Sequence, residues 1–414
     1  MTPFLQLTLA LVIIITAAKI GGYISYRLGQ PSVLGELLVG VLLGPSLVDF
    51  LHWPFFDPAA HTGDTIHELA EFGVLLLMFI AGLELHLSDL AKSGKVAALA
   101  GTLGVIVPIG LGFALGNIFG LTTTGSMFVG LILAATSVSI SAQTLMELGV
   151  LRTRVGISML GAAVFDDILV VLGLSLFIAL AGPDAGSTGL LGVLIILLRM
   201  VGFLVIGTLL GFYLLPERLS NWVDRLPISQ GLLAFVFSMM LIYAWSAEVL
   251  GSMAAITGAF LAGLVFARSP FKKRIEAGVL VLAYAVFVPV FFVNIGLTAN
   301  IRELSTDGLI LMVAMTGIAI VSKVFGSGLG AKLGGLTNRE SLQLGVGMMS
   351  RGEVGLIVVT VGVTNGLVDN EVYAAVVGVV ILTTLLTPPL LRILFAGDKP
   401  DVSLSEQATV GGDS

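Results

Sequence analysis

Asp166 and Asp167 sit side by side in Ala163-Val164-Phe165-Asp166-Asp167-Ile168-Leu169, near the middle of an apolar run from about Val155 to Ala181. An ionisable side chain at membrane mid-depth costs about 2.5–3.5 kcal/mol on insertion scales, and like charges side by side resist simultaneous ionisation. A salt bridge that clips helices together accounts for only one of the two, since one cation neutralises one carboxylate. The pair therefore points to work on protons or cations. Lys323 lies in another apolar run, Ile320-Val-Ser-Lys323-Val-Phe-Gly-Ser-Gly-Leu-Gly330. There it needs a buried partner, unless it snorkels to the interface. Neighbours on a helix point about 100° apart, so only one aspartate can face Lys323 squarely while the other turns to a water-filled cavity.

The remaining intramembrane polar residues fall where two helices are expected to break. Ala134-Ala-Thr136-Ser137-Val-Ser139-Ile-Ser141-Ala-Gln143 concentrates hydroxyls, which can satisfy backbone groups freed by unwinding. The alternative is that they bond one turn back within an ordinary helix. Gly345-Val-Gly347-Met-Met-Ser350-Arg351-Gly352-Glu353-Val-Gly355 supplies glycines that make unwinding cheap, with two opposite charges beside the break. Half-helix ends leave partial charges, which Arg351, Glu353 and Glu147 can neutralise; a snorkelling interfacial pair is the alternative for Arg351 and Glu353.

The elements that must hold these residues are membrane helices. The chain has 414 residues, 57% hydrophobic and 11% charged, against about 25% charged in a typical soluble domain. Thirteen runs long enough to count as spans can be drawn, at about 4–28, 32–50, 66–86, 94–118, 124–147, 152–182, 189–215, 228–248, 251–267, 277–297, 307–330, 340–365 and 371–395. The first ten residues lack a basic n-region, so they read as the start of the first span. A charged tail, 397–414, reads as disordered. There is no cysteine, which removes disulfides and thiolate metal sites.

Fifteen of the 20 basic residues fall in one set of alternating loops, namely Arg27, Lys92, Lys95, Arg152, Arg154, Arg218, Arg225, Arg268, Lys272, Lys273, Arg274, Lys332, Arg339, Arg392 and Lys399. The opposite loops carry only Arg302. The positive-inside rule then places the N-terminus outside and the C-terminus in the cytoplasm.

Three echoes pair a span with the one seven later. Leu34-Gly-Glu-Leu-Leu-Val-Gly-Val-Leu-Leu-Gly44 resembles Thr257-Gly-Ala-Phe-Leu-Ala-Gly-Leu-Val-Phe-Ala267. Phe79-Ile-Ala-Gly82-Leu83 matches Val293-Asn294-Ile-Gly296-Leu297, and the stretch around Gly130 and Thr136 matches that around Gly345 and Arg351. Seven is odd, so the copies are inverted, an architecture of secondary transporters. Repeat one is 4–182, the linker helix 189–215 and repeat two 228–395, within a single transporter unit 1–396. Glu36, Glu71, Glu84 and Arg199 read as packing or interfacial charges. His52, His61, His67 and His86 lack a regular spacing and read as solvated.

Leu34-Gly-Glu-Leu-Leu-Val-Gly with Gly44-Pro45-Ser46, Leu75-Leu-Leu-Met-Phe-Ile-Ala-Gly-Leu-Glu84, Ala135-Thr136-Ser137, Phe165-Asp166-Asp167 and Arg351-Gly-Glu-Val-Gly355 together resemble the second cation:proton antiporter family, from about Ile20 to Leu390. The resemblance implies an all-α integral membrane protein of the sodium/proton antiporter fold, with inverted repeats and crossed discontinuous helices. It also implies a homodimer in the cell (inner) membrane, with no cofactor, no nucleic-acid partner and no enzyme activity. By resemblance to the electrogenic sodium/proton members, Asp167 is the shared Na⁺/H⁺ site, helped by Thr136 and Ser137, and Asp166 is the partner of Lys323. Arg351 and Glu353 offset the ends of the crossed helices. The potassium efflux branch usually carries Gln-Asp at the pair. Alternative readings are K⁺/H⁺ exchange and a sodium-coupled organic-anion symporter. An intramembrane aspartyl protease needs its carboxylates on two helices, and no Gly-x-Gly-Asp is present.

Overall fold

A computed structural model describes residues 1–84, 93–181, 189–214, 220, 228–297, 305–364 and 366–397. The described residues form helices and connecting turns, with no strand among them. In chain order the helices are α1 (Pro3–Arg27), α2 (Ser32–Leu43), α3 (Thr62–Glu84), α4 (Gly94–Ile118), α5 (Thr123–Ala134), α6 (Val138–Glu147), α7 (Arg154–Ala181) and α8 (Gly189–Leu214). They continue with α9 (Gly231–Val249), α10 (Ala255–Phe266), α11 (Lys272–Leu282), α12 (Val288–Leu297), α13 (Thr306–Gly334), α14 (Asn338–Gly347), α15 (Glu353–Thr364) and α16 (Asn370–Phe395). Among the described residues ten helical segments are long and apolar enough to cross a membrane, counting α5–α6 as one and α11–α12 as another.

The other three expected spans hold shorter helices. α2 and α10 have 12 residues each, about 18 Å at 1.5 Å per residue, against a hydrocarbon core of about 30 Å. The run 32–50 stops at Leu43 because Gly44 turns extended (φ −70°, ψ 175°) ahead of Pro45, which disfavours helix in the residue before it. The run 251–267 begins helical structure only at Ala255, after Ser252 takes a positive φ of 53°. The run 340–365 is divided into α14 and α15. Between α11 and α12 a five-residue π-turn spans Ala283–Phe287. It precedes Pro289, which cannot donate to the carbonyl four residues back, so the ladder widens there.

The chain divides into two compact units. One comprises Met1–Ala18, Asp49–Asp89 and Val171–Asn294. In it α3 and α10 cross at reciprocal glycines: a Cβ on Gly82 would lie 2.1 Å from the Phe260 carbonyl oxygen, and one on Gly263 would lie 2.0 Å from that of Phe79. Such small residues let membrane helices approach backbone to backbone.

The second unit comprises Lys19–Val48, Leu90–Val170 and Ile295–Ser414, and it contains both aspartates, Lys323 and both helix breaks. Its centre is the α4–α13 pair. Gly326, Gly330 and Gly334, spaced four apart on α13, abut α4 at Leu103, Leu99 and Val96. α13 is held at its start by Ser305, whose hydroxyl accepts from the Gly308 amide, and at its end by Gly335 at φ 105°. α14 opens on a reciprocal Thr337–Glu340 cap. The tail beyond 397 lies outside the described residues.

Candidate functional site

α7 passes through the second unit carrying both aspartates, Asp166 fully buried and Asp167 8% exposed. Lys323, also fully buried on α13, donates from Nζ to Asp166 Oδ1 at 2.6 Å. Helical geometry left open which carboxylate would face the lysine and the family resemblance implied Asp166; the bond in the structure is to Asp166. Asp167 stays close enough to act on the charge of Lys323, and the Thr136 hydroxyl lies beside Asp166. Thr136 also donates to the Ala134 carbonyl at 3.3 Å. Arg351, 2% exposed, is near enough to act on the charges of both Asp166 and Lys323.

Both expected breaks are present, and they bond to each other. α5 stops at Ala134, Ala135 is extended (φ −57°, ψ 136°), and α6 restarts at Val138. α14 stops at Gly347 and α15 restarts at Glu353. Between them the Ser137 amide donates to the Ser350 carbonyl at 2.9 Å, and the Ser350 hydroxyl donates to the Ser137 carbonyl at 2.5 Å. The Ser141 hydroxyl donates to the Gly347 carbonyl at 2.5 Å. A Cβ on Gly352 would lie 2.5 Å from that of Ser137, so the close approach requires glycine there. The hydroxyls thus meet the backbone groups that unwinding would otherwise orphan.

Arg351 occupies the second break. Its Nη1 donates to the carbonyls of Met348 (3.3 Å) and Met349 (3.0 Å), and its Nη2 to that of Ala319 (3.1 Å). The first two carbonyls follow directly on the C-terminal end of α14, where the helix dipole is negative and a cation is favoured. The peptide of Arg351 is itself clamped by α16. Its amide donates to Thr383 Oγ1 at 3.1 Å, and its carbonyl accepts from Thr384 Oγ1 at 2.8 Å. Sequence reading missed these two threonines; the available signal was Thr383-Thr384 just ahead of Pro388-Pro389 in the last apolar run.

The other singled-out charges lie elsewhere. The Glu353 side chain and His86 are outside the described residues. Glu147, expected beside a break, reaches the start of α2, accepting from the Ser32 amide and hydroxyl at 2.6 Å each. It sits at the far end of α6 from Ser137, so the chain's fold hands it a different helix terminus to cap. Glu36 on α2 faces Lys19 on α1 at 3.4 Å. Arg199 on α8 is exposed on its helix yet donates to the carbonyls of Leu250 (2.8 Å) and Val249, where α9 ends. His52 and His61 pair locally with Asp49 and Asp64, and His67 meets Asn294 at 3.1 Å.

The sequence matches the family described as sodium/hydrogen exchanger, transmembrane, over residues 12–397. It is 38% identical to the Na⁺/H⁺-K⁺ antiporter GerN of Bacillus cereus over 94% of this chain and 96% of that protein. It is 37% identical to a Na⁺/H⁺ antiporter of Enterococcus hirae, covering 92% and 96%. Among solved structures, the sodium proton antiporter MjNhaP1 of Methanocaldococcus jannaschii superposes with a TM-score of 0.67 at 16% identity, over 96% of this chain and 98% of that one. The helical fold is therefore the antiporter fold, and the chain, a multi-pass membrane protein, belongs to the sodium/hydrogen exchanger family.

Proposed function

We propose that this protein exchanges Na⁺ for H⁺ by alternating access, with the two ions competing for the Asp167 carboxylate. What supports the assignment is the unequal setting of the two adjacent acids. Asp166 is committed to Lys323 at 2.6 Å, whereas Asp167, the next residue of the helix, projects about 100° further round the axis and is 8% exposed. Asp166 and Lys323 pair with each other. A proton or a monovalent cation each brings the single positive charge that offsets the Asp167 carboxylate, while both together would leave excess charge in a low-dielectric setting. Crossing the membrane with the site neutralised avoids carrying a bare buried charge. Thr136 and Ser137 at the first break supply neutral oxygens, and Arg351 holds the second break against the negative end of α14.

If Lys323 also exchanges its proton, net charge moves in each cycle and the membrane potential contributes about 2.3 kcal/mol per charge per 100 mV. On that reading, Lys323→Ala lowers the charge moved per cycle; an unchanged value would make Lys323 purely structural. The inverted repeats, the thirteen crossings, the homodimer and the outside N-terminus are proposed on the family resemblance, the sequence echoes and the distribution of basic residues. K⁺ is the second candidate cation, because the name of GerN includes it. The deciding experiment is proton flux in proteoliposomes with Na⁺, Li⁺ and K⁺ across a pH range, with and without a voltage clamp. Na⁺-driven flux is expected; flux driven by K⁺ alone would replace the sodium reading.

A further inference from the structure

One turn along α13 from Lys323 lies Ser327, also fully buried. Its hydroxyl has no hydrogen-bond partner among the described residues. A buried polar group left unpaired costs about 1–3 kcal/mol, and native interiors rarely keep one without a water or a role. Ser327 does not sit in a loose corner. It faces α4 at Gly104, where a Cβ would come within 2.3 Å of Ser327 Oγ and 3.5 Å of Lys323 Nζ. The hydroxyl and the amine therefore border the same notch, which exists because residue 104 has no side chain.

The amine has capacity to spare. A lysine ammonium carries three N–H donors, and among the described residues Nζ makes one hydrogen bond, to Asp166 Oδ1. Two observations made on different residues thus converge: a donor group with unused N–H bonds, and a hydroxyl beside the same notch with nothing to accept from. The charged groups acting on Lys323 are Asp166 and Asp167 from α7 and Arg351 from the second break. α4 borders the notch at Gly104.

We propose that Ser327 is a positioning residue for exchange: its hydroxyl, directly or through one water in the Gly104 notch, receives the Lys323 amine when Asp166 releases it. The amine then swings between a carboxylate and a hydroxyl one turn away. Without the hydroxyl, a released ammonium loses that acceptor. This rests on the reading of the Asp166–Lys323 pair as part of the exchange cycle.

The test compares wild type, Ser327→Ala and Ser327→Thr in proteoliposomes, recording Na⁺-driven proton flux against pH. For Ser327→Ala, the pH of half-maximal exchange is expected to move downward by about half a unit or more, because a hydrogen bond to the charged form has been removed. Ser327→Thr, which keeps the hydroxyl, should retain the wild-type profile. In a Lys323→Ala background, Ser327→Ala should produce no further displacement, since coupled residues are non-additive. A merely structural serine would lower thermal stability and leave the profile in place, and superimposable Ser327→Ala and wild-type profiles would overturn the proposal. An equal displacement in both Lys323 backgrounds would overturn it as well. Absence of Na⁺-driven flux in the wild type is a separate outcome, which would strike the exchange reading itself.

Discussion

The two helix breaks of the second unit do the same geometric task with different chemistry. The first, at 135–137, is neutral: hydroxyls and extended backbone, held to the other break through Ser137. The second, at 348–352, carries a buried guanidinium on three carbonyls and is clamped from outside by two threonines of α16. The difference teaches where the fixed positive charge belongs. On the proposed reading, a cation held permanently in the first break, beside Thr136 and Asp166, would compete with the transported ion. Placed in the second break, the same charge offsets the negative end of α14 and leaves neutral oxygens on the side of the hydroxyls.

That contrast can be broken at several points. The largest effect is expected for Arg351→Met, which strands three buried carbonyls and should cost about 3 kcal/mol or more, read as loss of thermal stability in detergent. A stability within experimental error of wild type would mean that the guanidinium is dispensable to the break. Thr384→Val removes the donor to the Arg351 carbonyl and should cost about 2 kcal/mol, with Thr384→Ser restoring most of it. At the neutral break, Ser141→Ala deletes one bond to Gly347 and should cost about 1 kcal/mol. If Ser141→Ala proved as damaging as Arg351→Met, the ranking of the two breaks would be reversed. Gly352→Ala sharpens the same point sterically, since its Cβ would meet that of Ser137 at 2.5 Å. It should impair both breaks together, and an unperturbed variant would mean that the two segments can separate freely.

Much of this was legible before any coordinates. Apolar length and the sparse charges marked the membrane helices, and Gly345, Gly347 and Gly352 beside Arg351 marked a break because few other compositions make unwinding cheap. The Asp166–Lys323 pairing was half legible from physics alone: helical geometry said that one aspartate must win but not which, and only the family resemblance named Asp166. The clamp by Thr383 and Thr384 was hidden because threonines in a helix ordinarily bond one turn back, as Thr383 itself does to Val379. Glu147 was misdirected for a related reason. Its destination depends on where α2 begins in space, and nothing local to α6 encodes that. The shortness of α2 was present in Gly44-Pro45, but the apolar residues beyond it outweighed the proline in a reading by hydropathy.

The central claim is that one carboxylate, Asp167, holds either ion in turn. Its most direct test is Na⁺-driven proton movement in proteoliposomes containing Asp167→Asn. The account predicts that movement is abolished while the protein still folds and inserts, and retained exchange by the folded variant would contradict it.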